Sequence, residues 1–467
     1  MRLTLFLLVV VGAAGLQAAD RPEVRPNVVI LLADQWRAQA TGFAGDRNAR
    51  TPRLDRLATA GVVLSTAVST CPVCSPYRAS LFTGRYPVHH GVFVNDVHLG
   101  TEAISLAQAF ARSGYATGYI GKWHLDGHGR SSFFPPDRRQ GFEFWRANEC
   151  SHDYLHSPYY ADTNEKRYWE GYDAIAQTEA AKQYILSHRQ QPFLLVVAWG
   201  PPHNPYDTAP KAFRDLFRPE HLELRPNVPS KVQAATRRDL AGYYAHIAAL
   251  DTCVGQIVDT LQECQLAQNT VLIVTADHGD MLGSHAEVRK QRPWDESILV
   301  PLVVCWPQGL GQGRRRLSAP LGTPDIMPTL LALCGIKAPD TVDGDDRSAW
   351  LRGREPDTDR AALICCVSPF GEWTRNRGGR EYRGLRTNCY TYIRSLAGPW
   401  LLYDNQQDPY QQDNLVGRPQ FAAIQADLDR KLTQELKRHQ DDFQPGGYYL
   451  KKWNYRTDAE GTVPYSP

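Results

Sequence analysis

Thr270-Val271-Leu272-Ile273-Val274-Thr275-Ala276-Asp277-His278-Gly279-Asp280 is an apolar, β-branched run of strand length that stops abruptly at chemically capable residues. Two other runs have the same form. Residues 27–33 end at Asp34-Gln35, and residues 193–198 lead through Trp199-Gly200-Pro201-Pro202 to His203. Continuous apolar runs of this length read as strands buried on both faces, the pattern of a parallel sheet. Helix-like segments at 101–113, 174–188 and 237–264 lie between and around them, so the chain reads as α/β. In such folds ligands gather beyond the carboxyl ends of the strands. Asp34, His203, Asp277 and His278 are therefore expected to converge.

The 467 residues, 42% hydrophobic, are enough for one large and one small domain. Around 351–359 the chain turns polar, and short strands of antiparallel character follow at 362–367, 382–385 and 390–394, then a helix at 421–438. The expected organisation is a leader at 1–19, a main domain at 20–358 and a smaller C-terminal α+β subdomain at 359–467. The leader reading rests on Arg2, the apolar run 3–11 and the small residues ending at Ala18-Ala19. That run is too short to anchor in a bilayer, so a secreted or periplasmic protein without a membrane anchor is expected. Formal net charge is only +2, which excludes a general nucleic-acid-binding surface. An anionic ligand must be met by local charge. Arg314-Arg315-Arg316, beside glycines, reads as a solvated turn.

Cys71-Pro72-Val73-Cys74 is a C-x-x-C, which by itself allows a redox pair or half a zinc site. No second Cys/His pair of matching spacing completes a zinc site, and the motif lies within a long α/β chain rather than a small thioredoxin-like unit. Ser75 is expected to cap a helix and Pro76 to occupy its first turn, which puts residue 74 at the positive helix end, a prepared place for sulfate or phosphate. The ten cysteines of an exported chain would suggest disulfides, although a mostly reduced set is equally compatible. Adjacent Cys365 and Cys366 would bridge each other only with strain.

Cys74-Ser75-Pro76-Tyr77-Arg78-Ala79-Ser80-Leu81-Phe82-Thr83-Gly84-Arg85 resembles the signature of the formylglycine-dependent sulfatases, the type I sulfatases of the alkaline phosphatase superfamily. The resemblance spans about residues 26 to 415 and points to the secreted bacterial polysaccharide-sulfatase kind. It implies an alkaline phosphatase-like fold, a large mixed and mostly parallel sheet sandwiched by helices, with a short antiparallel sheet in the C-terminal subdomain. In that family the cysteine becomes formylglycine (3-oxoalanine) through a formylglycine-generating or sulfatase-maturing enzyme. One hydroxyl of its hydrate attacks sulfur, and the other then drives elimination of sulfate.

The resemblance further implies a metal at Asp34, Gln35, Cys74, Asp277 and His278. Mostly oxygen donors favour Ca2+, with Mg2+ or Mn2+ open because of the histidine. Many relatives carry a second aspartate where this chain has Gln35, and serine is commonest where it has Tyr77. Arg78 would orient the hydrate, and Lys122 and His124 of Gly121-Lys122-Trp123-His124 would hold sulfate and the formylglycine hydroxyl. His203 and Lys290 would serve the leaving group, with the general acid open between them. His128, Arg130, His152, His156, Arg375 and Arg377 are loop residues that could line the pocket mouth. The implied activity is hydrolysis of a sulfate ester on a saccharide. A phosphonate monoester or phosphodiester hydrolase, and a non-catalytic glycan-binding protein with unconverted Cys74, are the alternatives. The sequence leaves oligomeric state open.

Overall fold

The computed structural model describes residues 25–357 and 359–465; the leader reading lies outside them. An eight-stranded sheet runs in the order Arg315–Leu317, Val62–Leu64, Leu302–Cys305, Thr270–Ala276, Asn27–Asp34, Phe193–Pro202, Ala116–Lys122, Phe144–Asn148. Its last five strands in this order are mutually parallel. Leu302–Cys305 alone runs against its neighbours. Helices Pro52–Ala60, Asp173–His188 and Gln233–Glu263 pack together on the sheet, as do Cys74–Thr83, Leu106–Arg112 and Ile326–Leu333. Every residue of Asn27–Asp34, Phe193–Pro202 and Thr270–Ala276 is buried. Cover on both faces is why these strands show no polar alternation.

Parallel register puts the strand ends at one edge. Asn27 to Ala33 pair in step with Thr270 to Ala276, and Ala116 to Gly121 with Phe193 to Ala198. Asp34, Lys122, His203 and Asp277 therefore leave the sheet side by side. The chain bends sharply there: Gln35 and His124 adopt left-handed backbone, φ 68° and 59°. Non-glycine residues hold such angles where the surroundings over-determine them.

The second unit is an antiparallel sheet of Ala361–Cys366, Tyr382–Thr387, Tyr390–Ser395 and Gly398–Asp404, with helix Ala422–Arg438 packed on it. It joins the main unit through an apolar cluster that includes Val68, Ile298, Ile364 and Tyr382 and through buried Arg386, which grips Asp295 with Nε 2.9 Å and Nη2 3.0 Å from its carboxylate oxygens.

Three local expectations change. The helix at 74–83 starts after Val73, with no side-chain cap; Ser75 lies inside it and donates Oγ to the His124 carbonyl at 2.7 Å. The segment 101–113 becomes helical only at Leu106, where Ser105 and Gln108 form a reciprocal capping box. Arg315 and Arg316 belong to an edge strand paired with Val62 and Val63, not to a solvated turn. All ten cysteines are free thiols, Cys365 and Cys366 included. No helix among the described residues is long and apolar enough to cross a membrane.

Candidate active site

Helix Cys74–Thr83 is buried along its whole length and aims its first residue at the strand ends. Cys74 Sγ lies 3.3 Å from His278 Nε2, 3.3 Å from Lys290 Nζ and 3.7 Å from Asp34 Oδ1. One turn on, Arg78 forks onto Asp277 Oδ2 through Nε at 3.1 Å and Nη2 at 3.0 Å, and donates Nη1 to the Lys122 carbonyl at 2.6 Å. Lys122 Nζ meets Asp34 Oδ2 at 2.5 Å. The spacing of four residues between Cys74 and Arg78 is what places both on one helix face.

Ligand atoms of Asp34, Cys74, Asp277 and His278 lie within 4.8 Å of one another, all buried. Atoms so spaced can surround one ion at the roughly 2.0–2.6 Å bond lengths of oxygen and nitrogen donors. The histidine is set for that role: Nδ1 donates to the Gly279 carbonyl at 2.8 Å, which leaves Nε2 as the lone pair facing the cluster. Gly279 has no substitute here, since a Cβ would lie 1.9 Å from the Glu296 carbonyl oxygen. Gln35 presents Nε2 to Asp280 at 2.7 Å and turns Oε1 toward Lys290 at 3.4 Å. Because Asp280 can only accept, the amide oxygen is the end left for the site.

The electrostatics match a site built for a cation and an anion together. Burial opposes ionisation of Asp34, but nearby positive charge, Lys122 foremost, outweighs it and holds the carboxyl well below its usual range. Asp277 goes the other way. Burial and the repulsion of Asp34 raise it despite His278 and the Arg78 fork, so the pair favours additional positive charge. Burial would neutralise Lys290, yet Cys74, Glu372 and Asp34 push it up to about 12. His203 is held well below 6.5 by burial and by Lys290. Its Nδ1 donates to the Asn204 carbonyl at 2.8 Å, and Nε2 faces Lys290 Nζ at 2.8 Å. The proton in this pair therefore sits on Lys290, with neutral His203 as acceptor.

A cavity of about 350 Å³ opens over Cys74, lined also by Lys122, His124, His203 and Lys290. Of the loop residues suspected at its mouth, Arg130 and His152 line it, His152 stacking on His203 at 4.4 Å between ring centroids. The other four are engaged elsewhere. His128 turns to the Asp126 carbonyl, His156 stacks on Tyr168, Arg375 pairs with Glu381, and Arg377 with Glu460.

Sequence reasoning missed several wall residues. Asn95 accepts from the Ser75 amide at 3.1 Å, and Asp96 accepts from His124 Nε2 at 2.9 Å. Cys150 lines the same wall, and Lys122, His124 and His152 overcome its burial to bring its thiol down to about 5. The polar pair Asn95-Asp96, directly after apolar Val92-Phe93-Val94, was the one signal available.

This fold and this constellation define a hydrolase of the alkaline phosphatase-like class. The sulfatase family model matches residues 26–336 and the N-sulphoglucosamine sulphohydrolase C-terminal model matches 283–438. The chain belongs to the sulfatase family and is a sulfuric ester hydrolase. It is 45% identical to an ulvan-active sulfatase of Formosa agariphila over 93% of this chain and 86% of that one. It is 29% identical to an endo-4-O-sulfatase of Bacteroides thetaiotaomicron, over 85% and 89%. The structure superposes on a yidJ sulfatase of Bacteroides fragilis with TM-score 0.83 and 29% identity, covering 93% of this chain and 100% of that one.

Burial lowers the pKa of His124, but Cys150 and the hydrogen bond to Asp96 overcome it and raise the imidazole to about 10. A histidine held above its unfolded value adds stability that is complete below about 6.5 and disappears as pH rises through the folded value. Asp96→Asn removes the negative charge while leaving an amide oxygen in its place, and should move the His124 titration, followed by NMR, clearly downward. An unshifted titration would show that Asp96 does not hold the imidazolium.

Proposed function

We propose that the protein is exported and hydrolyses a sulfate ester on a polysaccharide, with ulvan the first candidate substrate, through formylglycine at position 74. The observation that carries this reading is the meeting of Cys74 with Asp34, Asp277, His278 and Lys290 at the positive end of a buried helix. The ulvan-active relative supplies the substrate candidate. The apolar stretch 3–11 supports export, and a sulfatase-maturing enzyme is the implied partner. Cys74 Sγ stands where the hydroxyls of a formylglycine hydrate would project, one to attack sulfur and one to expel sulfate afterwards.

Asp34, Asp277 and His278, with Gln35 Oε1 and residue 74, would hold a divalent cation, Ca2+ by donor type. Such an ion would lower the pKa of the attacking hydroxyl and neutralise charge on the sulfate. Arg78 keeps Asp277 and the Lys122 backbone in place. Lys122 and His124 supply positive charge on the side of the cavity facing the sulfate oxygens. Lys290, which holds its proton against neutral His203, is the donor to the departing alkoxide. His152 stacked on His203 fixes that ring and forms the wall on which the leaving sugar would rest.

Inorganic sulfate release from ulvan, set beside turnover of a phosphodiester and a phosphonate monoester, tests the reading. Sulfate release should exceed both by at least about 100-fold, roughly 2.7 kcal/mol of transition-state discrimination. Preferential phosphodiester turnover would reverse the assignment. Lys290→Ala should depress kcat for a sugar sulfate by about 100-fold or more and for a nitrophenyl sulfate far less, because only the alkoxide needs a proton. Equal losses on both substrates would place Lys290 on the sulfate and not on the leaving group.

A further inference from the structure

A second polar cavity, without an assigned role, is lined by Arg37, Ala38 and Gln39, just after the Asp34-Gln35 turn. It has a volume of about 400 Å³ and shares no lining residue with the catalytic pocket, a size typical of small-ligand sites, about 300–1,000 Å³. Arg37 lines it, and Arg37 is only 2% exposed. Among the described residues its guanidinium has neither a hydrogen bond nor a carboxylate within 4 Å, and Nε is buried with no partner. The nearby acids are already engaged. Asp46 takes the Tyr244 hydroxyl at 2.5 Å, and Glu296 takes Arg225 Nε at 2.9 Å. Tyr244, Tyr243, Asp46 and Glu296 favour the Arg37 charge from a distance and outweigh its burial, but the guanidinium fork has no direct partner and can take an anion that enters the cavity.

The rest of the wall says which kind. Arg47, Arg225 and Arg316 line the same cavity against Asp46 and Glu223, a formal excess of positive charge. Arg47 is lightly committed, 3.6 Å from Glu223 in an exposed pair. Arg316 comes from the edge strand, paired with Val63. Gln39 adds Oε1, a buried acceptor with no donor. A bare oxyanion has no use for an acceptor, whereas a sugar carries hydroxyl donors beside its acidic group. Planar guanidinium forks suit carboxylate and sulfate alike.

We infer that this cavity is a second saccharide-binding site, in which Arg37 and Arg316 hold the carboxylate or sulfate of an acidic sugar and Gln39 accepts from one of its hydroxyls. The identity of the sugar polymer rests on the proposed function; the anion site does not. It would let the enzyme hold an acidic chain at a point removed from the scissile ester, which raises affinity for polymer over small esters.

Calorimetry on the full-length Cys74→Ala protein, titrated separately with inorganic sulfate, glucuronate and acidic ulvan oligosaccharides, tests this. Arg316→Glu lies at the surface and Arg37→Gln keeps most of the side chain's bulk; neither residue lines the catalytic pocket, whose contribution is then common to all variants. Each should weaken oligosaccharide and glucuronate binding at least tenfold, with glucuronate binding more tightly than inorganic sulfate. With Cys74 intact, Arg316→Glu should raise KM for the polymer several-fold and leave turnover of a nitrophenyl sulfate unchanged. Affinities indifferent to both substitutions, or sulfate binding as tightly as the sugars, would overturn the proposal. Arginine-dependent glucuronate binding in an enzyme inactive on ulvan would refute the substrate reading and uphold the site.

Discussion

Two carboxylates buried side by side, Asp34 and Asp277, set the terms for the rest of this site. Neither has any exposure to water, and taking such charges out of water is tolerable only with compensation from every side. Arg78 supplies it bidentately to one and Lys122 directly to the other. Asp277 still resists ionisation, which is the signature of a pair prepared for one more cation. The same compensating groups surround Cys74, so in the proposed chemistry the device that stabilises the acids also prepares position 74.

The parallel sheet makes this arrangement possible. Its central strands bury every side chain and cannot host charge along their length, so polar residues accumulate where the strands stop. Helix Cys74–Thr83, wholly buried, brings Cys74 and Arg78 to that edge together. The C-terminal sheet closes the structure from the other side: Gln291, next to Lys290, donates to and accepts from the Phe370 backbone, and the Tyr382 hydroxyl donates to the Gln291 carbonyl. The position of Lys290 thus depends on the smaller unit, whose Phe370, Gly371 and Glu372 also line the cavity.

The frame of the fold was legible because continuous apolar runs admit few other readings, and the polar residue at each run's end marked the site. Cys74, Arg78, Asp34, Asp277 and His278 stood in motifs tight enough to read. Residues that act through tertiary pairing were invisible. Asp96 matters because His124 reaches it, and Cys150 because Lys122 and His124 face it; neither relation leaves a periodic trace. Loop arginines and histidines were the least legible. Arg130 and Arg375 look alike in sequence, yet one lines the cavity and the other is spent on Glu381. Ser75 had the chemistry of a cap, but a carbonyl from the next strand's loop claimed its hydroxyl. Arg37 passed unnoticed because its importance lies in a partner that the chain does not provide.

The proposed chemistry requires an aldehyde, and not a thiol, at position 74. Mass spectrometry of the proteolytic peptide spanning this residue, from protein produced with a sulfatase-maturing enzyme, addresses it directly. The peptide should be about 18 Da lighter than its unmodified form and should react with a hydrazide, with sulfate release scaling with the converted fraction. Full sulfatase activity in protein whose Cys74 is entirely unmodified would contradict the account.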